Sequence, residues 1–83
     1  MSDIKLYSTS TCPFCVKAKA LLSNKGLQYT EINVGEEVER MHEMIERSGN
    51  RTVPQIFINN KSVGGFDELA QLIANGNLPH MNS

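Results

Sequence analysis

The sequence predicts an α/β domain in which a four-stranded mixed sheet is flanked by three helices, in the order β-α-β-α-β-β-α. Three observations predict this class. Short stretches alternate apolar and polar residues, apolar residues recur at helical spacing in three segments, and glycine, proline and asparagine separate these elements. A chain of 83 residues has room for one hydrophobic core, so we expect a single domain over residues 1–83.

The first half of the chain is typical of a β-α-β unit. Residues 4–8 alternate and predict a strand, and a helix is expected from Pro13 to about Lys25. Proline suits the first helical position because its missing N–H has no helical partner there, and Gly26 suits the left-handed residue that ends a helix. A strand over residues 28–33 completes a parallel crossover unit.

The second helix is predicted to begin with an acidic turn. Glu36 and Glu37 have the sign that favours the positive end of a helix dipole, and residues 48–50 end the helix. Its apolar stripe consists of Val38, Met41, Met44 and Ile45. Two glutamate–arginine pairs have the four-residue spacing that favours helical ion pairs, namely Glu36 with Arg40 and Glu43 with Arg47.

A hairpin and a third helix are predicted next. Pro54 opens a strand that runs to Ile58, since proline cannot donate to a sheet and belongs at the first residue of a strand. Residues 59–61 form a turn, because asparagine tolerates the left-handed conformation, and residues 62–63 begin the return strand. The last helix is expected from Asp67 to about Ala74, stopped by residues 75–79 and followed by a frayed tail over residues 80–83.

Composition and charge exclude several classes of function. The net charge is −1, which argues against a nucleic-acid partner because phosphate binding requires a basic face. No apolar run approaches the roughly 20 residues needed to span a bilayer, and the N-terminus lacks the pattern of a secretory signal. We therefore expect a cytoplasmic protein that binds neither nucleic acid nor membrane. A monomer is the default expectation, since no feature of the sequence indicates an oligomer.

Cys12 and Cys15 are the strongest functional signal in the sequence. With Pro13 at the first helical position, Cys12 is the N-cap, where its sulfur accepts a free N–H of Phe14 or Cys15. The helix dipole adds about half a positive charge at the same point. Both effects favour thiolate over thiol, so Cys12 is expected to be partly ionised at neutral pH.

Cys15 follows one helical turn later, at the Cα separation of about 5 Å that a disulfide accepts. It lies further into the helix and is more covered, so its pKa is expected to stay higher. This asymmetry assigns attack to Cys12 and resolution to Cys15. Two alternatives are weaker: a pair of small buried hydrophobic residues, and half a zinc site, for which His42 and His80 are single and far apart.

The chain resembles a bacterial dithiol glutaredoxin over nearly its whole length. Residues 11–15 (Thr-Cys-Pro-Phe-Cys), 52–55 (Thr-Val-Pro-Gln) and 64–67 (Gly-Gly-Phe-Asp), together with the element order, carry the resemblance. It implies a thioredoxin-like fold and the reduction of protein disulfides and glutathione mixed disulfides. Glutathione would be a cosubstrate, with no permanent cofactor and no metal. The implied partners are disulfide-containing or glutathionylated proteins, with ribonucleotide reductase as a candidate.

The resemblance also implies a glutathione site. Its residues would be Phe14, Thr52, Val53, Pro54, Gly65, Phe66 and Asp67. In the family the proline is cis and the backbone before it pairs with glutathione, whereas an ordinary strand-edge proline is the simpler interpretation of the residue alone. The amides of Phe66 and Asp67 would hold a carboxylate and the Asp67 side chain an ammonium, although Asp67 as a simple helix cap remains open.

Two departures from the family pattern affect this site. Thr9 stands where many glutaredoxins have lysine, so the usual cation for the thiolate and for the glycine carboxylate of glutathione is missing. Lys17 and Arg51 are the candidates to replace it, and the sequence does not choose between them. Phe14 stands where tyrosine is commoner, which keeps the ring and removes a hydroxyl.

Two other functions remain open at this point. The same cysteine chemistry would serve a thioredoxin-reductase-dependent electron donor for ribonucleotide reductase. A binding module is the second alternative, in which Cys12 of two chains and glutathione hold an iron–sulfur cluster. Cluster ligation needs four ligands and hence a dimer, and the proline after Cys12 stiffens the turn and disfavours it.

Overall fold

The computed structural model describes residues 3–76, so the tail and the residues beyond Gly76 that were predicted to stop the last helix lie outside it. Its elements follow the predicted order. They are β1 (Ile4–Ser8), α1 (Pro13–Asn24), β2 (Thr30–Asn33), α2 (Val38–Ser48), β3 (Gln55–Ile58), β4 (Lys61–Gly64) and α3 (Phe66–Ala74). Among the described residues, no helix is long and apolar enough to span a membrane.

The four strands form one mixed sheet in the order β2-β1-β3-β4. β1 runs parallel to β2 and antiparallel to β3, and β3 runs antiparallel to β4. Because Tyr7 lies opposite Gln55, the carboxyl end of β1 meets the amino end of β3. The segment leading to Cys12 and the segment before β3 therefore leave the sheet at the same edge.

Helices cover both faces of the sheet, as predicted. Successive residues of a strand point to opposite faces, so Leu6 and Tyr7 enter different clusters. The cluster beneath α1 and α3 contains Ile4, Leu6, Ala18, Leu22, Ile56, Ile58, Leu69 and Ile73. The cluster beneath α2 contains Tyr7, Ile32, Val34, Met44 and Phe57. Ala18 and Leu22 thus pack α1 against the sheet in the part of the helix that follows Cys15.

The two ends of α1 match the sequence prediction. Pro13 is the first residue of the helix, and Gly26 has a φ of 70°. The N–H of Gly26 bonds to the carbonyl of Ser23 and the N–H of Leu27 to that of Leu22, which satisfies the last carbonyls in a Schellman motif. The helix therefore has a defined stop and a rigid amino end.

α2 begins later than predicted, at Val38, with Glu37 as its N-cap. The reason is a turn: the side-chain oxygen of Asn33 accepts the N–H groups of Gly35 and Glu36. Glu36 consequently lies outside the helix, and the predicted pair with Arg40 is wrong. Arg40 instead contacts Glu43 at 3.4 Å.

The predicted pair of Glu43 with Arg47 is wrong as well. One oxygen of Glu43 faces Arg40, and the other accepts a short hydrogen bond from the Tyr7 hydroxyl on β1. Burial, followed by the contact with Glu43, raises the pKa of Tyr7 to about 12, and the same hydrogen bond lowers the pKa of Glu43. Glu43 therefore connects α2 to the sheet.

Four predicted boundaries shift by one or two residues. β2 begins at Thr30, the first residue that faces a partner on β1, and Pro54 lies just before β3. Asn59 and Asn60, with φ values of 52° and 68°, form a two-residue hairpin turn, so Lys61 already belongs to β4. α3 begins at Phe66, one residue before the predicted start.

Candidate active site

Cys12 occupies the N-cap of α1, as predicted. Its backbone is extended, with φ −97° and ψ 109°, and its Sγ accepts the N–H of Cys15 at 3.1 Å. The residue is partly exposed, and its sulfur is held by a donor at the positive end of the helix. A negative charge on this sulfur is stabilised by both features.

Cys15 has the opposite environment. Its exposed fraction is 0%, and it packs inside the protein as a free thiol. Burial, followed by the hydrogen bond to Cys12, raises the pKa of Cys15 to about 12, while a backbone hydrogen bond from Thr9 acts in the opposite direction. Cys15 is therefore protonated at neutral pH in the reduced protein.

A cleft of about 200 Å³ opens beside the cysteines, between the start of α1, the segment before β3 and the start of α3. The structure brings together all seven residues predicted for the glutathione site, and an eighth residue, Glu68, joins them. The lining residues are Phe14, Thr52, Val53, Pro54, Gly65, Phe66, Asp67 and Glu68.

The nucleophile lies at the edge of this cleft. Cys12 Sγ is 3.5 Å from the carbonyl oxygen of Val53, and Val53 lines the cleft. The rings of Phe14 and Phe66, which also line the cleft, are 6.1 Å apart at 38°. Phe14 is 52% exposed, so its ring offers the cleft an open apolar surface.

The Val53–Pro54 peptide bond is cis, as the resemblance implied. The Pro54 carbonyl closely approaches the start of α3: a Cβ on Gly65 would lie 3.4 Å from that oxygen. Gly64 has a φ of 118°, and a Cβ there would lie 2.9 Å from Glu68 Cγ. Gly65 therefore allows the segment before β3 to approach the start of α3, and Gly64 leaves room for the Glu68 side chain.

The alternative in which Asp67 caps α3 is wrong. Gly65 is the N-cap, and it has no side chain to satisfy the first helical N–H groups. Asp67 is the second residue of the helix and is exposed. The Glu68 carboxylate takes the capping role in reverse, because it accepts the Gly65 N–H at 2.8 Å. Asp67 therefore does not cap the helix.

Sequence reasoning missed Glu68. The available signal was a glutamate at the third helical position, three residues after the N-cap, which is half of a capping box. The usual serine or threonine is replaced by Gly65, so the pattern is incomplete in the sequence. Only the contact of Glu68 with the Gly65 amide places it in the cleft wall.

None of the three residues discussed for the missing cation lines the cleft directly. Lys17 contacts a residue of the cleft: its Nζ lies 4.9 Å from the centroid of the Phe14 ring, which is a cation–π contact. Arg51 is exposed and precedes Thr52, and Thr9 is half-buried. Within residues 3–76, no three His, Cys, Asp or Glu side chains lie close enough together to hold a metal ion.

Comparison with known proteins places this geometry in a family. The glutaredoxin family model matches residues 4–63. Glutaredoxin 3 of Escherichia coli strain K12 is 46% identical over 78 residues, which cover 94% of each chain.

Solved structures agree with the family model. A glutaredoxin from Brucella melitensis is 46% identical, with a TM-score of 0.78 over 92% of this chain and 83% of its own. A buckwheat glutaredoxin, solved as a glutathione complex, is 28% identical, with a TM-score of 0.85 over 96% of this chain and 76% of its own. The fold is therefore thioredoxin-like, and the chain belongs to the glutaredoxin family of thiol–disulfide oxidoreductases.

Proposed function

We propose that this protein is a glutathione-dependent oxidoreductase that reduces glutathione mixed disulfides and protein disulfides. One observation carries the proposal: the Cys12 sulfur accepts a helix N–H at the edge of a cleft lined by the seven residues that the resemblance assigned to the glutathione site. A buckwheat relative solved with glutathione supports the choice of cosubstrate. We further propose a cytoplasmic location, a monomer and no permanent cofactor.

Glutathione binding would use both walls of the cleft. Its peptide backbone pairs with the main chain of Val53, which lies 3.5 Å from the attacking sulfur. Its γ-glutamyl end lies over the start of α3, where the N–H groups of Phe66 and Asp67 receive the carboxylate. The Asp67 carboxylate receives the ammonium in a charge-assisted hydrogen bond. Lys17 and Arg51 remain the candidates to attract the glycine carboxylate.

Removal of glutathione from a protein takes two exchanges. The Cys12 thiolate attacks the glutathione sulfur of the mixed disulfide; a Cys12–glutathione disulfide forms, and the protein thiolate leaves and takes a proton from solvent. A second glutathione thiolate then attacks the glutathione sulfur of this adduct. Oxidised glutathione leaves, and the Cys12 thiolate is regenerated beside the Cys15 N–H.

Reduction of a protein disulfide uses the second cysteine. Cys12 attacks one substrate sulfur, and Cys15, once deprotonated, attacks Cys12 and displaces the substrate's thiolate. Contact with Cys12 is among the causes of the raised pKa of Cys15, so neutralising Cys12 in the mixed disulfide eases proton loss from Cys15. Ribonucleotide reductase is one candidate substrate.

Two serine variants test the proposal. Cys12→Ser should abolish both reactions, because a hydroxyl is not ionised at neutral pH and forms no disulfide. Cys15→Ser should retain reduction of a glutathionylated peptide and lose direct reduction of a protein disulfide. The measurement is turnover of each substrate with glutathione, glutathione reductase and NADPH. Equal loss of both reactions in the two variants would contradict the assigned roles.

The same assay identifies the electron source. Wild-type protein is supplied with NADPH and either glutathione plus glutathione reductase or thioredoxin reductase alone. Turnover that requires glutathione supports the proposal. Turnover with thioredoxin reductase alone would support the alternative electron donor. A coloured dimer after anaerobic reconstitution with iron, sulfide and glutathione would support the cluster-binding module.

A further inference from the structure

We infer that Gln55 is a positioning residue that holds the Thr52–Val53 side of the cleft in place for glutathione. The inference rests on the proposed function, since it concerns how the same cleft receives its cosubstrate. Gln55 itself is absent from the residues that line the cleft. It acts through Thr52, which does line it.

Gln55 ties the loop before β3 to the sheet. It is the first residue of β3, lies opposite Tyr7 of β1 and is only 2% exposed. Its Nε2 donates to the carbonyl oxygen of Thr52 at 3.0 Å and to the Thr52 hydroxyl at 3.2 Å. An exposed loop residue is thus held at two atoms by a side chain anchored in the core.

The amide of Gln55 adds a contact that an apolar residue would not supply. Methionine has about the length of glutamine and would fill the same core position, but it donates no hydrogen bond. What glutamine adds is therefore the pair of hydrogen bonds to Thr52, a residue that lines the cleft.

The residue that Gln55 holds is one peptide bond away from a contact of the reacting sulfur. Val53 follows Thr52, and its carbonyl oxygen is 3.5 Å from Cys12 Sγ. Fixing Thr52 therefore fixes the backbone with which glutathione is proposed to pair. The sulfur itself is held separately, by the Cys15 N–H on α1. Loss of the Gln55 contacts should therefore weaken cosubstrate binding and leave the exchange step intact.

Gln55→Met tests this assignment, because methionine keeps the length of the side chain and removes both donated hydrogen bonds. The KM for a glutathionylated peptide should rise about tenfold, with kcat within about twofold of wild type. Stability in urea should change little, because Thr52 is exposed and its carbonyl and hydroxyl can bond to water instead. Ile58→Val, three residues further along the same strand, is the control: it lowers stability and should leave KM unchanged.

A second variant and a second readout keep the inference testable. Gln55→Leu also fills the core position and carries no donor for either atom of Thr52, so its KM should rise about as much. NMR order parameters of Thr52 and Val53 should fall in both variants and stay unchanged in Ile58→Val. A KM within twofold of wild type, or unchanged order parameters, would overturn the inference. A wild-type protein that leaves the peptide glutathionylated would instead overturn the proposed function.

Discussion

The amino ends of α1 and α3 face the same cleft and satisfy their free N–H groups in opposite ways. At α1, the sulfur of the N-cap residue Cys12 accepts a helix N–H from within the chain. At α3, the N-cap is Gly65, which has no side chain, and Glu68 takes up only the N–H of Gly65 itself. One helix end thus holds a reactive atom, and the other is open to a ligand.

The difference teaches how one physical device serves two purposes. A helix amino end carries free N–H donors and a partial positive charge, so it stabilises an anion, whether the anion belongs to the protein or to a ligand. A cysteine at the N-cap makes that anion part of the protein. A glycine at the N-cap leaves the place for an anion from outside, which we propose is the γ-glutamyl carboxylate of glutathione.

Among the variants that test this difference between the two helix ends, Asp67→Asn is expected to change KM most. If the α3 end receives glutathione, loss of the carboxylate removes the partner of its ammonium, and the KM for a glutathionylated peptide should rise about 10- to 100-fold. Glu39→Gln is a matched control, because Glu39 is also an exposed acidic residue in the first turn of a helix, α2. Steady-state kinetics of the two variants measure the difference. Equal, small changes in both would remove Asp67 from the binding site.

A smaller effect is expected from alkaline pH on the free energy of unfolding of the reduced protein. This effect tests the environment of Cys15 near the amino end of α1. The pKa of Cys15 is raised from its ordinary value of 9.0 to about 12 in the folded protein. Above about pH 9 the unfolded chain therefore loses this proton more readily than the folded one, and the reduced protein should lose stability as pH rises from about 9 towards 12. Urea unfolding of the reduced protein between pH 8 and pH 10.5 measures the slope.

Cys15→Ser should make that slope shallower, because serine does not titrate in this range. Tyr7, whose pKa is also raised to about 12 from 10.0, contributes the part of the loss that begins near pH 10. Glu68→Gln, at the amino end of α3, is the control and should leave the slope unchanged, because it alters neither Cys15 nor Tyr7. A Cys15→Ser slope identical to that of wild type would show that the buried thiol does not differ from an exposed one.

The sequence was sufficient where one residue type determines one local geometry. Pro13 placed the start of α1 and Cys12 at its cap, and Gly26 placed the end, because each of these residues is suited to that backbone position. The alternating strands placed both halves of the core. The family motifs then predicted seven residues of a cleft that three separate segments build.

The predictions that failed concern side chains with more than one possible hydrogen-bond partner. Asn33 holds residues 35 and 36 in a turn and so delays α2, and Glu43 turns towards Tyr7 of the sheet instead of Arg47 of its own helix. The Gln55 contacts with Thr52 also escaped prediction. Helical spacing and residue propensity do not contain these contacts, because each depends on a neighbour fixed by tertiary structure.

The most direct test of the account is the pH dependence of Cys12 alkylation by iodoacetamide, measured in Cys15→Ser so that one sulfur reacts. If the Cys15 N–H and the end of α1 stabilise the thiolate of Cys12, alkylation at pH 7 should be at least about threefold faster than that of an unstructured cysteine. A short unstructured cysteine peptide is the reference, with a few per cent of its plateau rate at pH 7. A protein profile that coincides with that of the peptide would contradict the account.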